Sequence, residues 1–284
     1  MGNNNARQNR HRRLRRRNKS RRLIHSELPH LATVPLAWLD GEYPIVQDRT
    51  GLLLQIGGNH FVMTAAHDWP CEHDNPGSFE WFASTSDHFR HLPSDRGEES
   101  VPLHFKQAFF LDEKTLDVVL FELCKPTVQQ LRKKKKFIAQ RDLVAPISPA
   151  WKCEIYGFPL LLSDAGQAGQ PHLPVLVQRL NIGCELADTA KHSEAPEHHM
   201  LLELPEKVLG TPVHSTMQVR LEFNEFVGIS GGGIWVRQAH ASRRRLRLAG
   251  MFRAVRSLEP IAIGTRIDNV INALAALHDG IPPM

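Results

Sequence analysis

The chain has 284 residues, of which 42% are hydrophobic, and it carries a formal net charge of +5. This length and composition are typical of a folded protein with a sizeable core, and an all-β protein of this size commonly forms one domain. No segment approaches the ~18 consecutive apolar residues of a membrane-spanning helix, which excludes a transmembrane helix. The N-terminus has positive charges but no apolar segment behind them, so we expect no secretory signal peptide.

Residues 1–24 are predicted to form a disordered basic arm. Its segment from Arg7 to Arg22 holds ten of the 35 basic residues and no acidic one, which leaves 25 basic and 30 acidic residues elsewhere. The positive net charge is therefore a property of this arm. Three roles remain open for it: a solubilising tail, a segment that binds phosphate on nucleic acid or an anionic membrane, and a segment that docks on the acidic body of the chain.

From about residue 25 the sequence alternates between short apolar runs and turns, which predicts β-strands. Gly51 to Ile56 and Phe61 to Ala65 are two such runs, and the intervening Gly57-Gly58-Asn59 is typical of a hairpin turn. His67 follows the second run directly. We therefore expect it where a strand runs into a loop, a position suited to a catalytic base.

The loop after His67 contains Cys71 and His73, a spacing that zinc sites use. Structural zinc sites close with four ligands in recognised pairs, and no second pair follows downstream. We therefore predict no metal site and no other cofactor.

A second apolar run, Thr115 to Leu123, has Asp117 just inside its start and is predicted to be a strand. The pattern of residues 128–138 predicts one short helix after it. Lys133 to Lys136 are expected to form the solvated basic end of that helix.

The rest of the chain continues as short strands up to a final helix. Further strands are predicted over residues 79–82, 101–105, 175–180, 200–204, 217–223 and 233–236. The polar segment 187–199 holds three histidines without a metal-ligand spacing. They are His192, His198 and His199.

The last predicted element is an amphipathic helix over residues 268–278, with Asp268 as its expected N-cap. One face of this helix carries an apolar stripe. It is formed by Val270, Ile271, Leu274 and Leu277. We expect the stripe to pack on the second half of the chain.

The segment Gly228 to Gly233 contains the candidate nucleophile, Ser230. A serine attacks a carbonyl carbon when a base takes its proton and when donors await the oxyanion that forms. The glycine two residues before it allows a turn that directs the N–H groups of Gly228 and Ser230 into one hollow, the predicted oxyanion hole. The glycines after it leave room for a substrate backbone because they have no Cβ.

His67, Asp117 and Ser230 occur in an order and in contexts that resemble the chymotrypsin-fold serine proteases. The matching motifs are Thr-Ala-Ala-His, Asp-Val-Val-Leu and Gly-Ile-Ser-Gly-Gly. The resemblance spans roughly residues 30–278 in motif order and implies a triad in which His67 is the base, Asp117 orients the imidazole and Ser230 attacks.

The resemblance also implies the fold: an all-β protein of two six-stranded antiparallel β-barrels of chymotrypsin type with a C-terminal α-helix. The first barrel would span about residues 30–125 and the second about 145–265, within a peptidase domain over 25–284.

Departures from the family bear on regulation and specificity. Ile229 stands before the serine where zymogen-activated relatives have aspartate, so a partner or ligand, not N-terminal trimming, is expected to set the activity. Asn224 falls where the resemblance puts the floor of the specificity pocket, so cleavage after Lys or Arg is not implied. Residues 251–255 replace the Ser-Trp-Gly run that lines the cleft in relatives. This places Arg253 and Val255 in the substrate pocket, where Arg253 would favour an acidic side chain.

The cysteines predict a reducing compartment. Cys71, Cys124, Cys153 and Cys184 are widely spaced and include no Cys-x-x-Cys pair. Relatives join a cysteine just after the catalytic histidine to one about a strand earlier, and this bridge cannot form because residues 1–70 contain no cysteine. With the missing signal peptide, this predicts a cytoplasmic protein.

The sequence therefore predicts a serine endopeptidase that hydrolyses peptide bonds in a protein or peptide substrate through an acyl-enzyme, under the control of a regulatory partner or ligand. The alternative is a protease-fold binding module, inactive or nearly so, that the basic arm brings to nucleic acid or an anionic surface. The complete triad favours the enzyme.

Overall fold

The structure, a computed structural model, describes residues 28–39, 47–67, 80–85, 88–89, 100–111, 115–145, 147–148, 151–159, 175–176, 179–188, 197–210, 217–222, 225–237, 246–256 and 259–284. The basic arm, the loop with Cys71 and His73, and Asn224 lie outside the described residues, as do His192 and the start of the peptidase domain as predicted.

Short strands dominate the described part of the chain. In chain order they are β1 (Thr33–Leu39), β2 (Gln47–Ile56), β3 (Asn59–Ala65), β4 (Glu80–Ser84), β5 (His88–Phe89), β6 (Ser100–Pro102), β7 (Phe105–Leu111), β8 (Val118–Leu123), β9 (Ile138–Ala139), β10 (Lys152–Gly157), β11 (Val175–Leu176), β12 (Leu180–Leu186), β13 (His199–Glu203), β14 (Val208–Gly210), β15 (Val219–Leu221), β16 (Gly233–Arg237), β17 (Leu246–Val255) and β18 (Ile261–Arg266). The helices are α1 (Leu28–Ala32), α2 (Lys125–Leu131), α3 (Ile267–Leu277) and a 3₁₀ turn (Gln140–Asp142).

The first half folds into one eight-stranded sheet. Its strand order is β6-β4-β1-β2-β3-β8-β7, and β9 pairs in parallel with β2. Successive side chains of a strand point to opposite faces, so Leu52 and Leu54 join one apolar cluster while Leu53 joins another. Every residue of β8 is buried. Both faces of the sheet are therefore covered at β8, which lies deep in the core.

The second half forms a closed barrel in the order β10-β12-β13-β18-β17-β16. A third apolar cluster belongs to it and includes Ile155, Ile182, Ile234 and Phe252. Closure leaves the ring without an unpaired edge. Two short pairs stand apart from both sheets: β5 with β11, and β14 with β15.

The C-terminal helix α3 packs against both halves of the molecule. Three residues of its predicted stripe are fully buried in the cluster that also holds Phe61 of β3 and Met251 of β17. They are Val270, Ile271 and Leu274. The fourth, Leu277, is exposed. It is the last helical residue, and the ring of the next residue, His278, packs against Phe61 and Phe109 instead.

The cap of α3 also differs from the prediction. Its N-cap is Arg266, and Asp268 lies inside the first turn. The Asp268 carboxylate accepts a 2.6 Å hydrogen bond from Arg266 Nη2 instead of capping the backbone. An acidic side chain in the first turn still complements the helix dipole.

The all-β class with a C-terminal helix is confirmed. The first half departs from the predicted six-stranded barrel, because within the described residues seven of its eight strands form an open path and β9 pairs with β2 beside that path. The short strand β9 was not expected. Its pairing with β2 places Ile138 beside Leu54 and buries the Ile138 side chain completely. Because this burial depends on a strand far away in the chain, no local sequence pattern indicates it.

The helix predicted over 128–138 begins and ends earlier than expected. Pro126 lies in the first turn of α2, where a missing N–H costs nothing. After Leu131 the chain turns back, and Lys135 is buried, not solvated. Its ammonium donates to the carbonyl of Thr33 at 3.1 Å. The prediction of a solvated basic end was therefore wrong for Lys135, because its ammonium binds the backbone at the start of β1.

No helix in the described segments has both the length and the apolarity to cross a membrane.

Candidate functional site

Neighbouring strands bring His67 and Asp117 together. Antiparallel pairing places Ala65 of β3 opposite Val118 of β8. His67 lies just after β3 and Asp117 just before β8, so both residues fall at the same edge of the sheet. The N–H of Ala66 donates to the Asp117 carbonyl at 3.1 Å and continues the ladder to that edge.

Asp117 is buried, with 1% of its surface exposed, and its carboxylate accepts four hydrogen bonds. The N–H groups of Ala66 and His67 donate to Oδ1 at 3.2 and 2.7 Å. His67 Nδ1 lies 2.6 Å from Oδ2, and Arg253 Nε donates to the same oxygen at 3.1 Å. The φ of Asp117 is +53°, in the left-handed region that non-glycine residues seldom occupy. Such strain concentrates at functional sites, where the surroundings hold it in place.

This contact defines the chemistry of the His67 ring. A carboxylate at Nδ1 favours the tautomer that carries its proton on Nδ1, which leaves the lone pair of Nε2 as the basic site. Nε2 makes no hydrogen bond to any described residue, and the side chain is 38% exposed. Asp117 thus fixes the ring through Nδ1, and the basic Nε2 is in the tautomer that can accept a proton.

A buried arginine anchors the backbone of this segment. Arg49 of β2 is 4% exposed, and its Nη1 donates to the carbonyls of Ala65 and His67 at 3.0 and 2.8 Å. One guanidinium therefore ties the end of β3 to the preceding strand. The motif-based prediction missed this residue, although an arginine beside the apolar run of β2 was a visible anomaly.

Ser230 lies in a tight turn just before β16. Gly228 and Gly231 have φ values of +89° and +88°, which only glycine adopts readily. The Ser230 hydroxyl donates to the carbonyl of Arg253 at 3.0 Å and makes no hydrogen bond to His67. The N–H groups of Gly228 and Ser230 donate to no described residue.

Thr50 of β2 holds this turn from the first sheet. Its Oγ1 donates to the Gly228 carbonyl at 2.8 Å and accepts the N–H of Phe158 at 3.0 Å. Its own N–H donates to the Ser230 carbonyl at 3.1 Å. Sequence reasoning missed Thr50, because its partners are distant in the chain.

Gly231 is required by close packing as well as by its φ. A Cβ on this residue would overlap the carbonyl oxygen of Thr50 and Oγ1 of Thr64. The serine turn and β2 can approach each other only because this side chain is absent.

The structure describes two of the three residues predicted for the substrate pocket. Asn224 lies outside the described residues. Val255 ends β17 and is partly buried. Arg253, also on β17, directs its Nε to Asp117 and its Nη1 to His199 Nε2 at 3.2 Å. Its charge therefore lies against the Asp117 carboxylate, a contact that the sequence did not predict.

In the described part of the chain, no group of three or more His, Cys, Asp or Glu side chains could hold a metal ion. Cys153 and Cys184 face each other across β10 and β12 as free, buried thiols. Burial raises the pKa of Cys153 to about 11, and the nearby Glu185 adds to the shift. Neither thiol is a candidate nucleophile, since reactive cysteines have a lowered pKa.

No protein-family profile and no curated protein matches the chain. The solved structures that are similar to it include the following two. One comes from a study of aromatic interactions in the coupled folding and binding of the intrinsically disordered Sesbania mosaic virus VPg protein. The two chains are 15% identical over 84% of this chain and 89% of that chain, and the TM-score is 0.42. The other, an atomic-resolution structure of HBP, has 10% identity over 92% of this chain and 96% of that chain, with a TM-score of 0.51. At such identity, the likeness to HBP concerns the fold alone.

Proposed function

We propose that this protein is a serine endopeptidase of the chymotrypsin fold, in which His67, Asp117 and Ser230 form the catalytic triad. The observation that carries the proposal is the 2.6 Å contact between His67 Nδ1 and the buried Asp117 carboxylate. A buried carboxylate on Nδ1 is the arrangement that makes Nε2 an oriented general base. The serine turn, in which the N–H groups of Gly228 and Ser230 donate to no described residue, supports Ser230 as the nucleophile and these two groups as the oxyanion hole.

In the proposed reaction, Ser230 Oγ forms a bond to the peptide carbonyl carbon while its proton passes to His67 Nε2. The carbonyl π electrons move to oxygen, and the N–H groups of Gly228 and Ser230 stabilise that oxyanion. The C–N bond then breaks as His67 returns the proton to the leaving nitrogen. Water repeats the same steps on the acyl-enzyme and releases the acid.

Ser230 must change its partner before it can react. Its hydroxyl donates to the Arg253 carbonyl at 3.0 Å, so a side-chain rotation has to bring it to His67 Nε2. Catalytic hydrogen bonds are often long or misaligned in free enzymes and tighten when substrate binds. A bound substrate or a regulatory protein partner would drive this rotation.

Fluorophosphonate labelling tests the proposal, because these probes react with serines that a base and an oxyanion hole have activated. We expect labelling of the wild-type protein and none of Ser230→Ala. Ser148→Ala is the matched control, since it removes a serine outside the site and should label normally. Asp117→Asn should lower the labelling rate about 10⁴-fold, the loss in kcat that the same change causes in known chymotrypsin-fold proteases. Equal labelling of wild type and Ser230→Ala would refute the proposal.

A second candidate function is a protease-fold binding module. The hydrogen bond of Ser230 to the Arg253 carbonyl favours it, because a serine held away from its base would not react. The arm from Arg7 to Arg22 would then carry the function by binding phosphate on nucleic acid or an anionic surface. Such binding weakens steeply with salt. A chain without residues 1–22 should lose nucleic-acid affinity, and unchanged affinity would exclude the arm.

A further inference from the structure

Arg253 contacts two members of the proposed triad through different atoms. Its Nε donates to Asp117 Oδ2 at 3.1 Å, and its backbone carbonyl accepts the Ser230 hydroxyl at 3.0 Å. The pairing of β17 with β18 shifts register between Phe252 and Ala254, so Arg253 is the extra residue of a β-bulge. Bulges beside active sites redirect a side chain. Here the bulge accompanies a guanidinium that reaches the triad carboxylate.

The guanidinium is held at both ends. Asp117 binds Nε, and His199 Nε2 of β13 lies 3.2 Å from Nη1. The side chain is only 27% exposed. The charge of Arg253 is therefore fixed beside the triad and partly shielded from solvent, which strengthens its electrostatic effect on neighbouring groups.

The same carboxylate oxygen serves His67 and Arg253. Oδ2 lies 2.6 Å from His67 Nδ1 and 3.1 Å from Arg253 Nε. During serine attack the imidazole becomes a cation, and Asp117 stabilises that cation. A guanidinium is permanently positive, so on this oxygen it offsets part of the carboxylate charge and repels the imidazolium. Both effects raise the barrier to serine attack.

We infer that Arg253 is a positioning residue that restrains the triad: its charge fixes Asp117 in the resting protein and slows serine attack. The inference rests on the proposed endopeptidase function and gives that site a built-in form of regulation. Removal of the charge, with the hydrogen bond to Asp117 kept, should accelerate the reaction.

Two substitutions separate the charge from the hydrogen bond. The Nε2 of a glutamine stands as many bonds from Cα as the Nε of arginine, so Arg253→Gln keeps a donor for Asp117 without the charge. Arg253→Lys keeps the charge and can reach the same oxygen. Labelling by a fluorophosphonate probe at mildly alkaline pH gives the maximal rate kinact and the half-saturating concentration KI for each full-length variant. We expect kinact of Arg253→Gln to rise about tenfold with KI unchanged, and that of Arg253→Lys to stay near wild type.

The outcomes separate this inference from the proposed function. If Ser230-dependent labelling persists but kinact of Arg253→Gln does not rise, the restraint is wrong and the endopeptidase proposal stands. An equal rise in the Gln and Lys variants also overturns the restraint, because charge would not be the cause. If no variant shows Ser230-dependent labelling, both fail.

A second neutral variant keeps the test decisive if Arg253→Gln does not fold. Arg253→Ala admits water to Asp117, and we expect the same direction of change as for Arg253→Gln. Thermal melting establishes whether each variant folds. If neither neutral variant melts cooperatively, Arg253 is a requirement of the fold, and the restraint is overturned.

Discussion

Thr50 Oγ1 donates a 2.8 Å hydrogen bond to the carbonyl of Gly228 and so joins the first sheet to the turn that presents Ser230. Thr50 is fully buried, and its N–H donates a second hydrogen bond to the same turn, to the Ser230 carbonyl at 3.1 Å. His67 and Asp117 lie at the edge of that same sheet, just after β3 and just before β8. The candidate site is therefore assembled across the interface of the two halves, and neither half contains it alone.

The first prediction concerns this hydrogen bond. Thr50→Val keeps the side-chain shape but leaves the Gly228 carbonyl without its donor, so the Gly228 N–H should lose its fixed direction. We expect kinact for a fluorophosphonate probe to fall about 10- to 100-fold. This loss is smaller than the roughly 100- to 1000-fold loss that follows removal of an oxyanion-hole donor, because the Gly228 N–H itself remains. KI should change little. Thr50→Ser, which keeps the hydroxyl, should stay near wild type, and equal losses in the two variants would contradict the prediction.

The second prediction concerns the close approach at Gly231. Gly231→Ala puts a methyl group against Thr50 and Thr64 at a φ of +88°, which strains the backbone as well as the packing. We expect the free energy of unfolding to drop by about 3 kcal/mol and labelling of Ser230 to be lost. Urea unfolding followed by tryptophan fluorescence measures the first effect. Gly183→Ala is the control, because its Cβ would meet nothing within 4 Å, and a comparable loss there would show that the close approach is not the cause.

The third prediction concerns the anchor of the histidine segment. Arg49→Met removes a buried guanidinium and leaves the carbonyls of Ala65 and His67 without that donor. We expect the free energy of unfolding to fall by about 2–4 kcal/mol, since unsatisfied buried groups are costly. The control is Arg132→Met, which removes an exposed arginine bound to His60 and should cost under about 1 kcal/mol. Similar urea midpoints for the two variants would rule out an anchoring role for Arg49.

The fourth prediction concerns pH. The folded protein holds the Cys153 proton up to a pKa of about 11, whereas the ordinary pKa of a cysteine is 9.0. Above pH 9 this thiol therefore binds fewer protons in the unfolded chain than in the folded one. Its contribution to stability is complete below pH 9 and is lost as pH rises towards 11. Cys153→Ala should flatten this decline by up to about 1 kcal/mol per pH unit. Urea unfolding across this pH range tests it, and an unchanged slope in the variant would assign the decline to other groups.

Local sequence patterns were sufficient for the class of fold and for several elements. The run before His67 and the run after Asp117 are strands β3 and β8, and the C-terminal stripe is a helix. These elements follow from periodicity, because a strand or helix that buries one face repeats its apolar residues with a fixed period. The end of α2, the strand β9 and the burial of Lys135 did not follow from it, since each depends on a partner far along the chain.

The sequence by itself determined which residues could carry the proposed chemistry: a histidine after a strand, an aspartate before one, and a serine among glycines. Only the tertiary structure decided what surrounds them. Arg253 donates a hydrogen bond to the Asp117 carboxylate, and Arg49 donates one to the His67 carbonyl. Thr50 donates one to the turn that contains Ser230. The physical reason is that backbone conformation follows from neighbours in sequence, whereas a hydrogen bond between distant segments exists only after sheet and barrel have packed. Motif residues are therefore visible in the chain, and the groups that tune them become visible in the fold.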